Sequence, residues 1–239
     1  AQLRTLGRPH NAAQARAAFA AARQAGFANI SGDIMLALPH YTRAEFDQTL
    51  ALIQEGGAQH ISAYLLKIEP GSAFGRRPPE GLPDPDQAAD FYLYAVEQLA
   101  RAGYRQYEIS SFARPGFEGQ HNRIYWDCGD YLGLGSAAHS CMGNQRFYYP
   151  PDTAAFIAGS DPVPDGVCGA EDYLILQLRL ADGLDLAEYR RRGGAEFTAH
   201  QQAFLEHCAR AGYLTLTPDH IALTPLGMIV QNSILEELI

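Results

Sequence analysis

The sequence predicts an α/β protein in which a partial β/α barrel or parallel sheet is followed by a small helical domain similar to a winged helix. Capped helices alternate with apolar, strand-like runs over residues 12–112, and the chain from about residue 169 is mainly helical with short strands. With 239 residues, 47% of them apolar, the chain can bury one large and one small core. The predicted domains are 1–165 and 166–239.

The first helix and strand have clear local signals. Asn11 and Gln14 form a predicted capping box for helix 12–25. The apolar run 29–38 follows, with Asp33 as its only charge. Such a run predicts an interior, parallel strand that is buried on both faces.

Two more helices and strands continue this pattern. Thr42 and Glu45 predict a second capped helix, and strand 60–68 after it completes a β-α-β unit. A third capped helix ends at Ala102 and precedes a single predicted strand over 104–112. In a barrel the reactive groups lie at the carboxyl ends of the strands.

The last part of the chain has the element order of a winged helix. Asp185 and Glu188 predict a capping box, followed by a helix near 195–211, short strands within 213–223 and a final helix beginning near Pro225. The stretch 171–239 holds ten acids and five bases, which is a poor surface for phosphates. A packing or lid role is therefore expected rather than DNA binding.

Charge and cysteine spacing exclude several other classes. The net charge of −9 disfavours nucleic acid and anionic membranes as direct partners. The cysteines are far apart and form no CxxC pair, which argues against a zinc ribbon or a secreted disulfide framework and predicts a cytoplasmic location. They are Cys128, Cys141, Cys168 and Cys208. Because the chain begins with Ala, we expect an internal cut.

Asp33 has two interpretations of equal weight on its own residues. A buried carboxylate needs a partner, which could be a nearby Arg. A carboxylate at a strand end can also accept hydrogen bonds from a ribose diol.

Residues 121–126 also have two interpretations. His121, Asn122, Arg123, Tyr125 and Trp126 could bind a flat ligand that carries a metal and acidic groups, through an axial imidazole, a guanidinium and stacked rings. A loop histidine beside two core aromatic side chains is the simpler alternative, which composition alone favours.

Several motifs resemble the radical S-adenosylmethionine (SAM) proteins related to oxygen-independent coproporphyrinogen III dehydrogenase. They are LGRPH at 6–10, GDIMLALP at 32–39 and SAYLLKIEPG at 62–71. YEISSFA at 107–113 and HNxxYW at 121–126 resemble the HemW-type haem chaperones within that superfamily. The similarity extends over nearly the whole chain and implies a radical SAM barrel, of which this chain is the rear part.

The resemblance implies roles for particular residues. Arg8, Asp33 and the backbone around Lys67 become contacts for SAM, with Asp33 at the ribose. The HNxxYW segment becomes a haem site, with His121 as the first candidate for the axial ligand and Cys128 as the second. The CxxxCxxC loop that binds three irons of a [4Fe-4S] cluster would lie before Ala1, so this chain should not perform radical chemistry alone.

Three functions are consistent with these features. The first is a haem chaperone that transfers haem to acceptor haem proteins of the respiratory type, with membrane contact only through the acceptor. The second is oxygen-independent coproporphyrinogen III oxidation by radical decarboxylation. The third is an incomplete interaction module in which strand 29–38 is an open edge that a dimer could cover.

Overall fold

The computed structural model describes residues 2–239 and divides into two compact units. The first unit ends at Glu118 and the second comprises Gly119–Ile239. The predicted boundary between 165 and 166 lies inside the second unit and stays a prediction about domain organisation.

The first unit combines helices with a four-stranded sheet. Its elements are α1 (Gln2–Thr5), α2 (Ala12–Gln24), β1 (Ser31–Leu36), α3 (Arg43–Glu55), β2 (His60–Leu65), α4 (Ala73–Arg76), α5 (Pro85–Arg101), β3 (Arg105–Glu108) and β4 (Ser111–Ala113). The predicted capping boxes at Asn11 and Thr42 are confirmed, and the third predicted helix is capped in the same way by Asp84. Each of these side chains accepts a hydrogen bond from the backbone of the third helical residue.

The sheet has the strand order β1-β2-β4-β3. β1 and β2 are parallel, as predicted. The prediction of one strand over 104–112 is wrong: β3 and β4 are two antiparallel strands, and β4 also pairs antiparallel with β2. Glu108 accepts a hydrogen bond from the backbone N–H of Ser110 at 3.0 Å, which stabilises the reversal between the two strands.

The prediction that β1 is an interior strand buried on both faces is also wrong. Among the described strands it lies at the edge of the sheet, and its burial alternates. Ile34 and Leu36 are buried on the face where α3 and α5 pack, whereas Asp33 is exposed on the opposite face. A strand that is covered on one side buries only alternate residues, so the apolar run led to an overestimate of how much of β1 is buried.

The second unit is built around two small antiparallel sheets. Its elements are α6 (Gln120–Trp126), β5 (His139–Met142), β6 (Gln145–Tyr148), α7 (Thr153–Ile157), β7 (Val163–Val167), α8 (Ala170–Gln177), β8 (Leu184–Asp185), α9 (Leu186–Arg191), α10 (Ala199–Arg210), β9 (Leu214–Leu216), β10 (His220–Leu223), α11 (Pro225–Ile229) and α12 (Gln231–Leu238). The sheets have the orders β5-β6-β7 and β8-β10-β9.

The carboxyl-terminal elements follow the predicted order, with one local difference. Asp185 caps α9 by accepting from the backbone N–H groups of Ala187 and Glu188. Glu188 does not complete a capping box, because its carboxylate binds the guanidinium groups of Arg191 and Arg192 instead. No helix in residues 2–239 has the length and apolar character needed to span a membrane.

Candidate functional site

A groove in the first unit brings together two of the residues predicted to contact SAM. It has a volume of about 720 Å³ and is formed by the amino-terminal segment with β1, β2 and α3. Arg8 and Asp33 both line it, and Tyr64 from the end of β2 contributes an aromatic wall. The groove thus offers a guanidinium, a carboxylate and a ring to one ligand.

Asp33 does not need the buried partner that one interpretation of the sequence required. Its side chain faces solvent on β1, so it is not desolvated. Burial raises the pKa of Tyr41 in the same groove, and the backbone N–H of Thr42 lowers the pKa of Glu45 by donating a hydrogen bond to its carboxylate. At neutral pH the groove wall therefore carries a neutral Tyr41 phenol beside an ionised Glu45 carboxylate.

Lys67 lies outside this groove wall. Its side chain is 83% exposed, and Nζ is 3.0 Å from Oε1 of Glu69. The predicted contact involves only the backbone around Lys67 and stays a prediction.

A row of polar side chains crosses the sheet beside Asp33. In the register of the sheet, Asp33 lies opposite Ser62, Ser62 lies opposite Ser111, and Ser111 lies opposite Glu108 on the outermost strand. Ser62, Ser111 and Glu108 are buried. Sequence reasoning missed Ser62 and Glu108, because the antiparallel pairing that joins them to Asp33 depends on the unpredicted hairpin.

Next to this row, a buried imidazole joins two hydroxyl groups. His60 Nδ1 is 2.8 Å from Ser31 Oγ, and His60 Nε2 is 2.8 Å from the hydroxyl of Tyr107. Burial lowers the pKa of His60, although the Asp33 and Glu108 carboxylates oppose that shift. The ring is therefore neutral at physiological pH and acts as a hydrogen-bonding bridge.

In the second unit, the HNxxYW segment forms α6. His121 and Tyr125 are one turn apart, with Nε2 of His121 2.6 Å from the Tyr125 hydroxyl and ring centroids 4.9 Å apart. The rings of Tyr125 and Tyr131 pack edge to face, with their centroids 4.5 Å apart. Asn122 and His121 are exposed, whereas Tyr125 is half-buried.

Residues 177–182 contact α6 through three side chains. Gln177 donates a hydrogen bond to the backbone carbonyl of Trp126 at 2.8 Å, and the Arg179 guanidinium lies 4.7 Å from the centre of the Trp126 ring. Arg123 Nη2 is 3.4 Å from Oδ2 of Asp182. Within the described part of the chain, the buried Nε1 of Trp126 has no hydrogen-bond acceptor.

Three of the four cysteines line one cavity beside α6. Cys128, Cys141 and Cys168 are buried around a space of about 340 Å³ whose wall includes Tyr125 and Tyr131. Sequence separation concealed this cluster, which the fold assembles from the end of α6, from β5 and from the residue after β7. Burial, together with the neighbouring Cys168 thiol, raises the pKa of Cys128 to about 12. No group of three or more potential ligands among residues 2–239 is arranged to hold a metal ion.

Gly133 and Gly135, which lie between α6 and β5, have separate local explanations. A Cβ at Gly133 would lie 2.2 Å from the carbonyl oxygen of His139, so a side chain cannot be accommodated there. Gly135 has a φ of +114°, which favours glycine.

Comparison with known proteins identifies relatives of this chain. Residues 170–230 match the HemN C-terminal domain family. The chain is 32% identical over 251 residues to the protein named heme chaperone HemW of Escherichia coli. This match covers 98% of this chain and 64% of that protein. The chain is a homologue of the HemW-type proteins. The heme chaperone HemW of Haemophilus influenzae is 43% identical over 138 residues, or 58% of this chain and 36% of that protein.

A solved structure supports the fold. The chain superimposes on a solved structure of the Escherichia coli radical SAM enzyme coproporphyrinogen III oxidase (HemN) with a TM-score of 0.76 at 19% identity. The match covers 99% of this chain and 60% of that one. This superposition confirms the predicted fold, a partial radical SAM barrel followed by a small carboxyl-terminal domain, and the described four-stranded sheet is open, as a partial barrel requires. The predicted relationship to HemW-type radical SAM proteins is likewise confirmed. The chain spans less than two thirds of the length of these relatives.

Proposed function

We propose that this chain is part of a haem chaperone, which binds haem at α6 and transfers it to acceptor haem proteins. The observation that carries the proposal is the arrangement of the HNxxYW side chains on one short helix, supported by relatives that are named heme chaperones. The exposed His121 imidazole is a suitable axial ligand for iron, and Arg123 is suited to a propionate.

We also propose that the groove of the first unit holds SAM. Arg8 matches the carboxylate of SAM and Asp33 matches its ribose diol, and both line the same wall. The backbone around Lys67 is the third proposed contact. By resemblance, a [4Fe-4S] cluster bound by a CxxxCxxC segment outside this sequence would supply the site where SAM is activated.

A cytoplasmic protein whose membrane contact comes only through its acceptor fits the proposed role. The open edge of β1 in the described sheet would allow pairing with a second copy or with another segment of the parent protein. Analytical ultracentrifugation of this chain tests the dimer, and a monomer at micromolar concentration contradicts it.

The main test is a titration of this chain with ferric haem, followed through the Soret band. We expect His121→Ala to weaken binding and to change the band, because an axial ligand is lost. His200→Ala is the matched control, since His200 is an exposed helical histidine in the same unit. Equal affinity of wild type and His121→Ala would remove His121 from the site.

Coproporphyrinogen III oxidation is the second candidate. The chain shares the fold of the Escherichia coli enzyme, which makes this reaction the alternative to test. The parent protein, with its cluster reconstituted, should cleave SAM and decarboxylate coproporphyrinogen if this function is correct. SAM cleavage without decarboxylation would eliminate it.

A further inference from the structure

Arg123 forms an ion pair with Asp182. The proposed function requires the same guanidinium to bind a haem propionate. Arg123 lies on the HNxxYW helix, and Asp182 lies in the turn between α8 and β8. Arg123 Nη2 and Asp182 Oδ2 are 3.4 Å apart. The only acidic groups of haem are its two propionates, which are carboxylates of the same chemistry.

We propose that Asp182 is an internal competitor that occupies the Arg123 guanidinium until a haem propionate displaces it. This inference rests on the proposed haem site and adds a residue that limits its affinity for carboxylate-bearing porphyrins. Asp182 thus acts on haem binding through Arg123 and need not touch haem.

The exposure of the Arg123–Asp182 ion pair makes it easy for a haem propionate to replace Asp182 at the guanidinium. The side chain of Asp182 is 82% exposed and that of Arg123 is 40% exposed, so solvent screens the contact. A single 3.4 Å contact also lacks the two parallel hydrogen bonds of a forked guanidinium–carboxylate pair. A propionate that approaches Arg123 with both oxygens would therefore form the stronger pair.

The surroundings of Arg123 favour an incoming anion in a protein whose net charge is −9. Arg179 lies over Trp126, and Arg192 Nη2 reaches the backbone carbonyl of Asp127 at 3.4 Å. Two further guanidinium groups thus lie at the carboxyl-terminal end of α6, where Arg192 also binds the Glu188 carboxylate and Asp127 adds a carboxylate of its own. Asp182 reduces the attraction of this cluster for a dianionic porphyrin.

The test compares ferric haem with its dimethyl ester, which has no carboxylate. Asp182→Asn should bind haem about 1.5- to 5-fold more tightly than wild type, the range expected for an exposed ion pair. The ester should bind both proteins equally. Asp161→Asn removes the same charge from an exposed position elsewhere in the unit and should leave haem affinity unchanged. Asp182→Glu keeps the carboxylate and should behave like wild type.

Two outcomes separate this inference from the proposed function. If wild type binds haem and a folded Asp182→Asn variant binds it no more tightly, the competitor role is wrong while the haem site stands. A gain that persists with the ester, or in an Arg123→Gln background, also overturns the competitor role. Absence of haem binding by wild type would overturn both.

Discussion

Nε2 of His121 lies 2.6 Å from the hydroxyl oxygen of Tyr125, one turn further along α6. His121 is the proposed axial ligand of haem iron, and its Nε2 is already engaged in a hydrogen bond. Iron binding through Nε2 requires that this bond be broken, so Tyr125 opposes the first step of haem loading while its ring supports the site through Tyr131.

Replacement of Tyr125 by Phe should strengthen ferric haem binding. The variant keeps the aromatic ring against Tyr131 but frees Nε2 of His121 from a hydrogen bond worth about 0.5–1.5 kcal/mol, which corresponds to roughly 2- to 12-fold in affinity. A Soret titration measures the change. Tyr149→Phe, at a half-buried aromatic position of the same unit, is the control. Weaker binding by Tyr125→Phe would show that the hydroxyl assists haem binding.

Replacement of Gln177 by Leu should loosen the HNxxYW helix. Gln177 is buried and donates to the Trp126 carbonyl at 2.8 Å and to Oδ1 of Asp127 at 3.2 Å. Loss of the amide removes this donor from the Trp126 carbonyl, whereas water can solvate the exposed Asp127 carboxylate. We therefore expect a loss of about 1–3 kcal/mol in the free energy of unfolding. Urea denaturation measures it. Gln202→Leu removes an exposed amide that bonds to the Phe197 carbonyl and should cost less.

The sequence predicted those elements whose signals are local. The capping boxes at Asn11 and Thr42 depend on residues three apart, and both were predicted correctly. The hairpin at Glu108 is local, but its turn residues Ile109 and Ser110 include none of the Gly, Asn or Asp signals that predict a hairpin. The cysteine cluster depends on packing between separated segments, which local patterns do not specify. For the same reason Asp33 was predicted to be buried: the apolar run does not reveal whether a neighbouring layer covers both faces of the strand.

Replacement of Ala137 by Gly should stabilise the protein. Ala137 is exposed and has a φ of +61°, a left-handed conformation that costs an L-residue roughly 1–2 kcal/mol. Glycine removes this strain but adds about 0.5–1 kcal/mol of chain entropy, so a net gain of about 0.5–1 kcal/mol is expected. Ala102 has a φ of −77° and provides the control, because Ala102→Gly should be destabilising. A loss of stability in Ala137→Gly contradicts the strain argument.

His60 should make the folded protein less stable in acid. Burial lowers its pKa in the folded state, whereas the unfolded chain takes up the proton near its ordinary value of 6.5. The unfolded state therefore binds more protons just below that value, and the free energy of unfolding falls as the pH drops below about 6.5. His60→Gln should flatten this part of the pH profile. His200→Gln, at an exposed position, should not change it.

Cys128 should react slowly and should destabilise the fold in alkali. Its pKa is raised to about 12 from an ordinary 9.0, mainly by burial, so the folded protein holds the thiol proton more firmly than the unfolded chain does. The stabilisation is fully present below about pH 9 and is lost as the pH rises towards 12.

At about pH 8, iodoacetamide should label Cys128 in the folded protein roughly 100- to 1,000-fold more slowly than in urea, because the thiolate is the reactive form. Peptide mass spectrometry follows each thiol separately. Cys128→Ser should lessen the alkaline loss of stability, with the fully denatured protein as the reference for intrinsic reactivity. Labelling of native Cys128 at the denatured rate would mean that the thiol is ionised and accessible, and would make it a stronger candidate for the second iron ligand.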